Sequence, residues 1–309
     1  MRLAVMVEPQ FGATYQDQLA AALHTEQCGF DGFFCSDHFL TMGPDETFRR
    51  RLGPGQGPTD AWMTLAALAV QTSRIRLGTL MTSATFRHPA VLAVQVAQAD
   101  QMSRGRIELG LGTGWFEAEH AALGVGLPEV RQRFEVLEEQ LKVLAGLWET
   151  IPGDTFSFHG KHYRLLENPG LPKPVQQPRP PIIVGGLGTR RSPQVAARFA
   201  DEFNVPFATV ERTAAGFRSV DAASDALGRA RLAYSAAQVV ACGRTPSEAR
   251  DRAEALNEPP LLYGSPDQLV DTIGRFREIG ADRLYLEILD LKDLDHLELL
   301  ASTILPQLA

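Results

Sequence analysis

Asp37 and His38, inside "CSDHF" (Cys35–Phe39), are the pair best suited to chemistry. A histidine can carry a proton at neutral pH, and an adjacent acid or backbone group can fix its ring. The competing reading is a structural histidine just past a strand. A second stretch, "RIELGLGTGWFEAEH" at 106–120, runs an apolar segment into Gly110, Gly112 and Gly114. Glycine lets a backbone approach a ligand with its N–H groups exposed. Trp115 follows at the strand end, where an aromatic ring can wall a pocket. Glu117, Glu119 and His120 come next, at a spacing that is neither HExxH nor a known carboxylate–histidine pair, so no metal is expected.

A third stretch, "GGLGTRRSP" (Gly185–Pro193), repeats the pattern of strand, glycines and helix, with Arg190 and Arg191 beside the helix start. A helix N-terminus adds a positive dipole end, and together these features suit an anion such as a cofactor phosphate. The competing reading is that the glycines serve tight turns. His88 precedes Pro89 and reads as a helix entry. Trp62 and Trp148 have helical surroundings and read as core.

These stretches sit at the ends of strands in a repeating βα pattern. Eight strands are predicted at Leu3–Val7, Gly32–Phe34, Ile75–Leu80, Ile107–Leu109, Ile182–Val184, Glu202–Val205, Leu232–Val240 and Arg283–Ile288. Most are short and continuously apolar, as strands buried on both faces are. From Val130, apolar residues recur at Phe134, Leu137, Leu141, Leu144 and Trp148 with helical period. "TPSE" (Thr245–Glu248) and "SPDQ" (Ser265–Gln268) read as capping boxes with proline at the first helical position. The helix after Ser265 should stop at Gly280. Helices are also expected to start at Pro89 and Pro193.

Eight βα units point to a closed (β/α)8 barrel, with a doubly wound open sheet as runner-up. An open sheet of that kind usually shows GxGxxG after strand 1, whereas "VEPQFG" stands here. In barrel enzymes the site lies where strands end. Two connections exceed plain joints. Ser36–Asp60 is rich in glycine and proline, and 152–181 is proline-rich around "FSFHGKHYRL", which reads as two short strands about His159–Gly160. Each is a candidate cap over one barrel end.

The 309 residues, 44% apolar and 22% charged, describe an ordinary α/β protein that needs no disulfides. Three cysteines without a CxxC pair suit a reducing cytoplasm. A net charge of −7, with Arg49–Arg51 the densest basic run, argues against nucleic acid. No apolar run approaches membrane-span length. "MRLAVMV" reads as a strand rather than an export signal.

Taken in order, "CSDHF", "LGTLMTSATFRHP", "RIELGLGTGWFEAEH", "FSFHGKHY", "PPIIVGGLGTRR" and "GSPDQLVDTIGRFREIGADRLYLEI" resemble the bacterial luciferase-like flavin and deazaflavin oxidoreductases. The pattern is similar to the actinobacterial branch that uses the deazaflavin coenzyme F-420. The resemblance implies one TIM-barrel domain over 1–309 with an insertion after strand 4. It implies a cofactor across the barrel mouth and a non-prolyl cis peptide at Leu80–Met81, in a strand-3 segment with Thr79, that backs the ring. It places Thr113, Gly114, Gly185 and Gly186 on the cofactor's phosphate, Asp37 and Trp115 near the ring, and His38 as catalytic histidine. The family's sugar-phosphate dehydrogenases carry a glutamate where Trp115 stands, which argues against a sugar-phosphate substrate and leaves Glu117 as a replacement acid. The implied activity is hydride transfer between F-420 and an unidentified small organic substrate, in a cytoplasmic homodimer. The alternatives are an FMN-dependent monooxygenase using molecular oxygen, and a cofactor-binding barrel without turnover.

Overall fold

The computed structural model describes residues 1–41, 57–187, 190–254, 256 and 259–308. In chain order the elements are β1 (Arg2–Val7), α1 (Tyr15–Cys28), β2 (Gly32–Cys35), α2 (Ala61–Gln71), β3 (Arg76–Ser83), α3 (Pro89–Ser103), β4 (Ile107–Gly112), α4 (Glu117–Leu123) and α5 (Val130–Glu149). They continue with β5 (Phe156–His159), β6 (Arg164–Asn168), β7 (Ile182–Gly185), α6 (Arg191–Phe199), β8 (Glu202–Pro206), α7 (Val210–Asp225) and β9 (Ala233–Cys242). The last are α8 (Pro246–Ala253), β10 (Leu262–Gly264), α9 (Pro266–Glu278), β11 (Arg283–Ile288), α10 (Leu294–Thr303) and α11 (Leu305–Leu308).

The sheet runs β11-β1-β2-β3-β4-β7-β8, and β9 pairs with both β8 and β11, so eight parallel strands close on themselves. The fold is the (β/α)8 barrel expected from the βα rhythm, and all eight expected strands are in the ring. Closure excludes the open-sheet alternative. Burial on both faces explains the apolar runs: β2 and β11 are buried at every position. The short β10, pairing with β9 outside the closed ring, was not anticipated.

The helix signals mostly match. The α5 stripe buries Leu137, Leu141, Leu144 and Trp148. Ser265 and Gln268 form a complete capping box, and Gly280 has φ +93° just past α9. At α8 the box is half-made. Thr245 accepts from the Glu248 N–H, but the Glu248 carboxylate turns to the N–H and guanidinium of Arg244. Pro193 is the third residue of α6, not the first. The opening N–H groups of a helix have no partner inside it, so proline costs nothing there. His88 caps α3 as expected, its Nδ1 accepting from the Ala90 N–H. Trp62 and Trp148 are core residues, donating to Thr82 Oγ1 and the Ala93 carbonyl.

β5 and β6 form the expected antiparallel hairpin. The Glu139 carboxylate accepts the N–H groups of Lys161, His162 and Tyr163, which pins the hairpin to α5. Further along, Asp100 accepts from the N–H groups of Val175 and Gln176. No residue of 152–181 lines the cavity described below, so the segment does not cover that end; Gln176 instead accepts from Arg76 and donates to the Ile107 carbonyl at the N-terminal ends of β3 and β4. Of the Ser36–Asp60 connection, 42–56 lie outside the described residues, Arg49–Arg51 among them.

The two ends of the barrel differ in chemistry. At the N-terminal end Arg283 is buried and donates to both carboxylate oxygens of Glu108, at 2.6 and 3.1 Å. It also donates to the Tyr285 hydroxyl, which donates onward to Glu202 at 2.7 Å. This cluster plugs that end. The C-terminal end holds the cavity.

Candidate active site

A cavity of about 610 Å³ lies at the C-terminal ends of the barrel strands, within the size range of ligand pockets. The strand ends supply its walls. β1 brings Met6 and Glu8; β2 brings Ser36, Asp37 and His38; β3 brings Leu80 to Ser83. β4 brings Gly112 to Trp115, β7 Gly185 to Leu187, and β11 Glu287.

β3 carries the most unusual backbone. The Leu80–Met81 peptide is cis, as the resemblance implied. The ladder to β4 takes three steps along β3, from Thr79 to Thr82, against two along β4, from Leu109 to Leu111. The extra residue bulges Leu80 and Met81 toward the cavity. The neighbouring glycines make room for that bulge. A Cβ on Gly110 would sit 2.1 Å from the Thr79 carbonyl oxygen; one on Gly112 would meet Met81 Sδ, and one on Gly185 would meet Met81 Cε. Gly110, Gly112 and Gly185 thus also leave Met81 its room. Gly114, at φ +76°, turns the chain over Ser83. Thr79 is buried, donates to the Gly110 carbonyl and does not line the cavity. Thr113, Gly114, Gly185 and Gly186 line the same cavity, so both glycine turns lie at one rim.

His38 is held from an element that the sequence did not single out for it. Its Nδ1 lies 3.0 Å from Oε2 and 3.2 Å from Oε1 of Glu119 on α4. Glu119 is only 1% exposed, and it also accepts the N–H groups of Phe39 and Leu40. An ionised carboxylate only accepts, so Nδ1 carries a proton, leaving Nε2 without a partner among the described residues. Burial opposes charge on His38, but the hydrogen bond and charge of Glu119, with Glu8 and Asp37, raise its pKa above the ordinary value. Burial likewise opposes charge on Glu119, yet His38 and the two backbone donors hold its pKa below the carboxylate range.

Behind His38, the buried Asp37 receives a fork from Arg87, which also donates to Asp60 at 2.7 Å. Trp115 lines the cavity at 62% exposure, stacked on Phe116 and edge-on to His38. Glu117, the expected replacement acid, is exposed and does not line the cavity. Helical geometry explains this: residues two apart on α4 face different ways, so Glu119 turns inward and Glu117 outward. His120 spends both ring nitrogens, one on the Phe116 carbonyl and one on the Thr85 hydroxyl. Arg191 lies over the Phe134 ring and donates to the Arg131 carbonyl; Arg190 is exposed, and neither arginine lines the cavity.

Two lining carboxyls, Glu8 just past β1 and Glu287 within β11, had no role assigned from the sequence. Burial pushes Glu8 up to about 7, against the opposing pull of His38 and a hydrogen bond from Gln10. Burial, reinforced by Glu8, pushes Glu287 well above the carboxylate range. The signal for Glu287 was present in the sequence. It is an acid near the C-terminal end of an otherwise apolar barrel strand, "RLYLEI".

Among known proteins, the family model described as Luciferase-like monooxygenase matches residues 1–260. An F-420-dependent glucose-6-phosphate dehydrogenase of Amycolatopsis mediterranei is 35% identical over 179 residues, 57% of this chain and 49% of that protein. An FMNH(2)-dependent dimethylsulfone monooxygenase of Pseudomonas putida is 36% identical over 142 residues, 46% of this chain and 38% of that protein. The chain thus spans half or less of the length of these two relatives. The solved structure of an F-420-dependent secondary alcohol dehydrogenase, in complex with an F-420–acetone adduct, superposes with a TM-score of 0.82 at 18% identity. It covers 100% of this chain and 99% of that one, a likeness of fold.

Proposed function

This chain belongs to the luciferase-like monooxygenase family, and from that membership we propose that it is an oxidoreductase passing a hydride between F-420 and a small organic substrate. The observation that carries the reading is the His38–Glu119 pair beside the Leu80–Met81 bulge in a single cavity. Hydride exchange at an oxygen-bearing carbon also moves a proton, and a histidine with one nitrogen anchored and the other unpartnered suits that task.

The cavity's residues fit a flat, phosphate-bearing cofactor. Its volume is adequate, and the bulge presents Leu80 and Met81 on the side where glycines have been cleared. Leu80 and Met81 would hold the ring; Thr113, Gly114, Gly185 and Gly186 would hold the phosphate-bearing portion. When bound, F-420 supplies two-electron hydride chemistry with little reactivity toward oxygen. His38 holds and moves the proton at Nε2, while Glu119 fixes the ring through Nδ1. Asp37 keeps the His38 backbone in place through the Arg87 fork. Trp115 excludes water at the rim. The cysteine pattern supports a reducing cytoplasm, and the family resemblance a homodimer, as parts of this proposal.

The test is a fluorescence titration of apo-protein with F-420 and with FMN, followed by turnover of the His38→Ala variant. F-420 should bind in the micromolar range, and the variant should lose about 100-fold or more of its turnover. FMN binding without F-420 binding would establish the monooxygenase reading that the Pseudomonas putida relative suggests. F-420 binding without turnover on a broad panel of alcohols, amines and carbonyl compounds would favour a cofactor carrier.

A further inference from the structure

Glu287 is 4% exposed, lines the cavity, and makes no hydrogen bond or ion pair among the described residues. Its flanks are apolar: it pairs in register with Met6 on β1 and Val239 on β9, and Ala237 lies nearby in the lining. A buried carboxyl without a partner is costly unless something else arrives to meet it.

The other ionisable groups of this wall are already engaged. Asp37 is held by Arg87, Glu119 by His38, His120 by Thr85 and Phe116, and Glu8 faces Gln10 and His38. Among the described residues the lining contains no lysine or arginine. Both line the same cavity, and the charge of Glu8 raises the proton affinity of Glu287, so ionising the two together is unfavourable. An anion placed there would oppose that ionisation further, and a neutral hydroxyl would leave it unfavourable. A cationic group would answer both carboxyls together.

We propose that Glu287 determines substrate choice in this cavity, and that the substrate it selects presents a protonated amine between Glu287 and Glu8. The inference rests on the reading of this cavity as the substrate site, and it deepens that reading by naming the substrate class. A phosphorylated sugar is disfavoured on the same grounds. The ammonium group donates to the Glu287 carboxylate, and the carboxyl's proton leaves to solvent as the amine binds.

Three probes of similar shape, benzylamine, benzyl alcohol and benzoate, test this on the apo-protein by isothermal titration calorimetry near neutral pH. Benzylamine should bind about tenfold or more tightly than benzyl alcohol, and benzoate should not compete. Repeating the titration in buffers of different ionisation enthalpy should reveal about one proton released per amine bound. Glu287→Gln should abolish both the preference and the proton release while keeping a wild-type melting temperature. Should that variant fail to fold, Glu8→Gln, which removes the second carboxylate, should reduce both. Undetectable benzylamine binding, equal binding of the alcohol, preference for benzoate, or a preference that survives Glu287→Gln would overturn the proposal. An F-420 titration of the same samples separates the two readings. Amine preference without F-420 binding defeats only the cofactor assignment; F-420 binding without amine preference defeats only this one.

Discussion

At the residue scale, the site depends on how Glu119 sets the proton state of His38. Burial alone would strip the imidazole of its charge; the carboxylate 3.0 Å away reverses that. The raised His38 pKa stabilises the fold below the unfolded value of 6.5, and this contribution is lost as pH rises through the folded value. The lowered Glu119 pKa stabilises the fold above 4.5, and this is lost as pH falls through its folded value. Both contributions are therefore whole between those two values. Glu119→Gln keeps an acceptor for the Phe39 and Leu40 N–H groups but removes the charge. It should lower the His38 pKa, read from the imidazole proton shifts. Its deficit in melting temperature should be greatest between pH 4.5 and 6.5 and shrink on either side. A His38 titration that does not move in this variant would show that Glu119 does not hold the ring's proton.

At the element scale, β3 and its neighbours form one packing unit. The bulge at Leu80–Met81 is possible because Gly110, Gly112 and Gly185 leave Met81 its space. The glycines are not equivalent. A methyl on Gly110 meets a backbone carbonyl at 2.1 Å, whereas one on Gly112 meets the Met81 sulfur at 2.9 Å, on a side chain that can move. Gly110→Ala should cost about 1–3 kcal/mol or more from overpacking, and Gly112→Ala clearly less. Urea denaturation of the two variants measures this. Equal costs would mean that the β3–β4 contact yields more readily than its geometry implies. The same packing explains why Thr79 faces the Gly110 carbonyl and not the cavity.

At the scale of the molecule, the barrel carries a buried charge cluster at one end and a cavity at the other. Arg283, Glu108, Glu202 and Tyr285 come from three strands, β11, β4 and β8, and are buried against one another, with Asp31 facing the Arg283 Nε and Arg76 donating to Glu108. Such a cluster adds little net stability when intact, but removing one member leaves an uncompensated buried charge. Arg283→Ala should therefore destabilise the barrel by about 3–5 kcal/mol, seen as a lower urea midpoint. Binding at the distant cavity should change little in whatever fraction remains folded. A variant as stable as the wild type would mean that Glu108 and Glu202 find protons or water without cost.

The sequence by itself determined the ring of strands, the hairpin in the insertion and most helix ends. Those features follow from periodicity, caps and glycine positions within a few residues of one another. It also marked His38 and the Leu80–Met81 bond, through motifs short enough to recognise. Tertiary structure alone decided which acid serves His38. Glu119 lies 81 residues away in sequence, and only the turn of α4 separates its direction from that of Glu117. It decided that the glycines of β4 and β7 make room for Met81, because their neighbours come from another strand. It also decided that Glu287 meets the same space as Glu8, which required β11 to close against β1. Local order is encoded locally, whereas the electrostatics of a site arise from groups that closure of the barrel brings together.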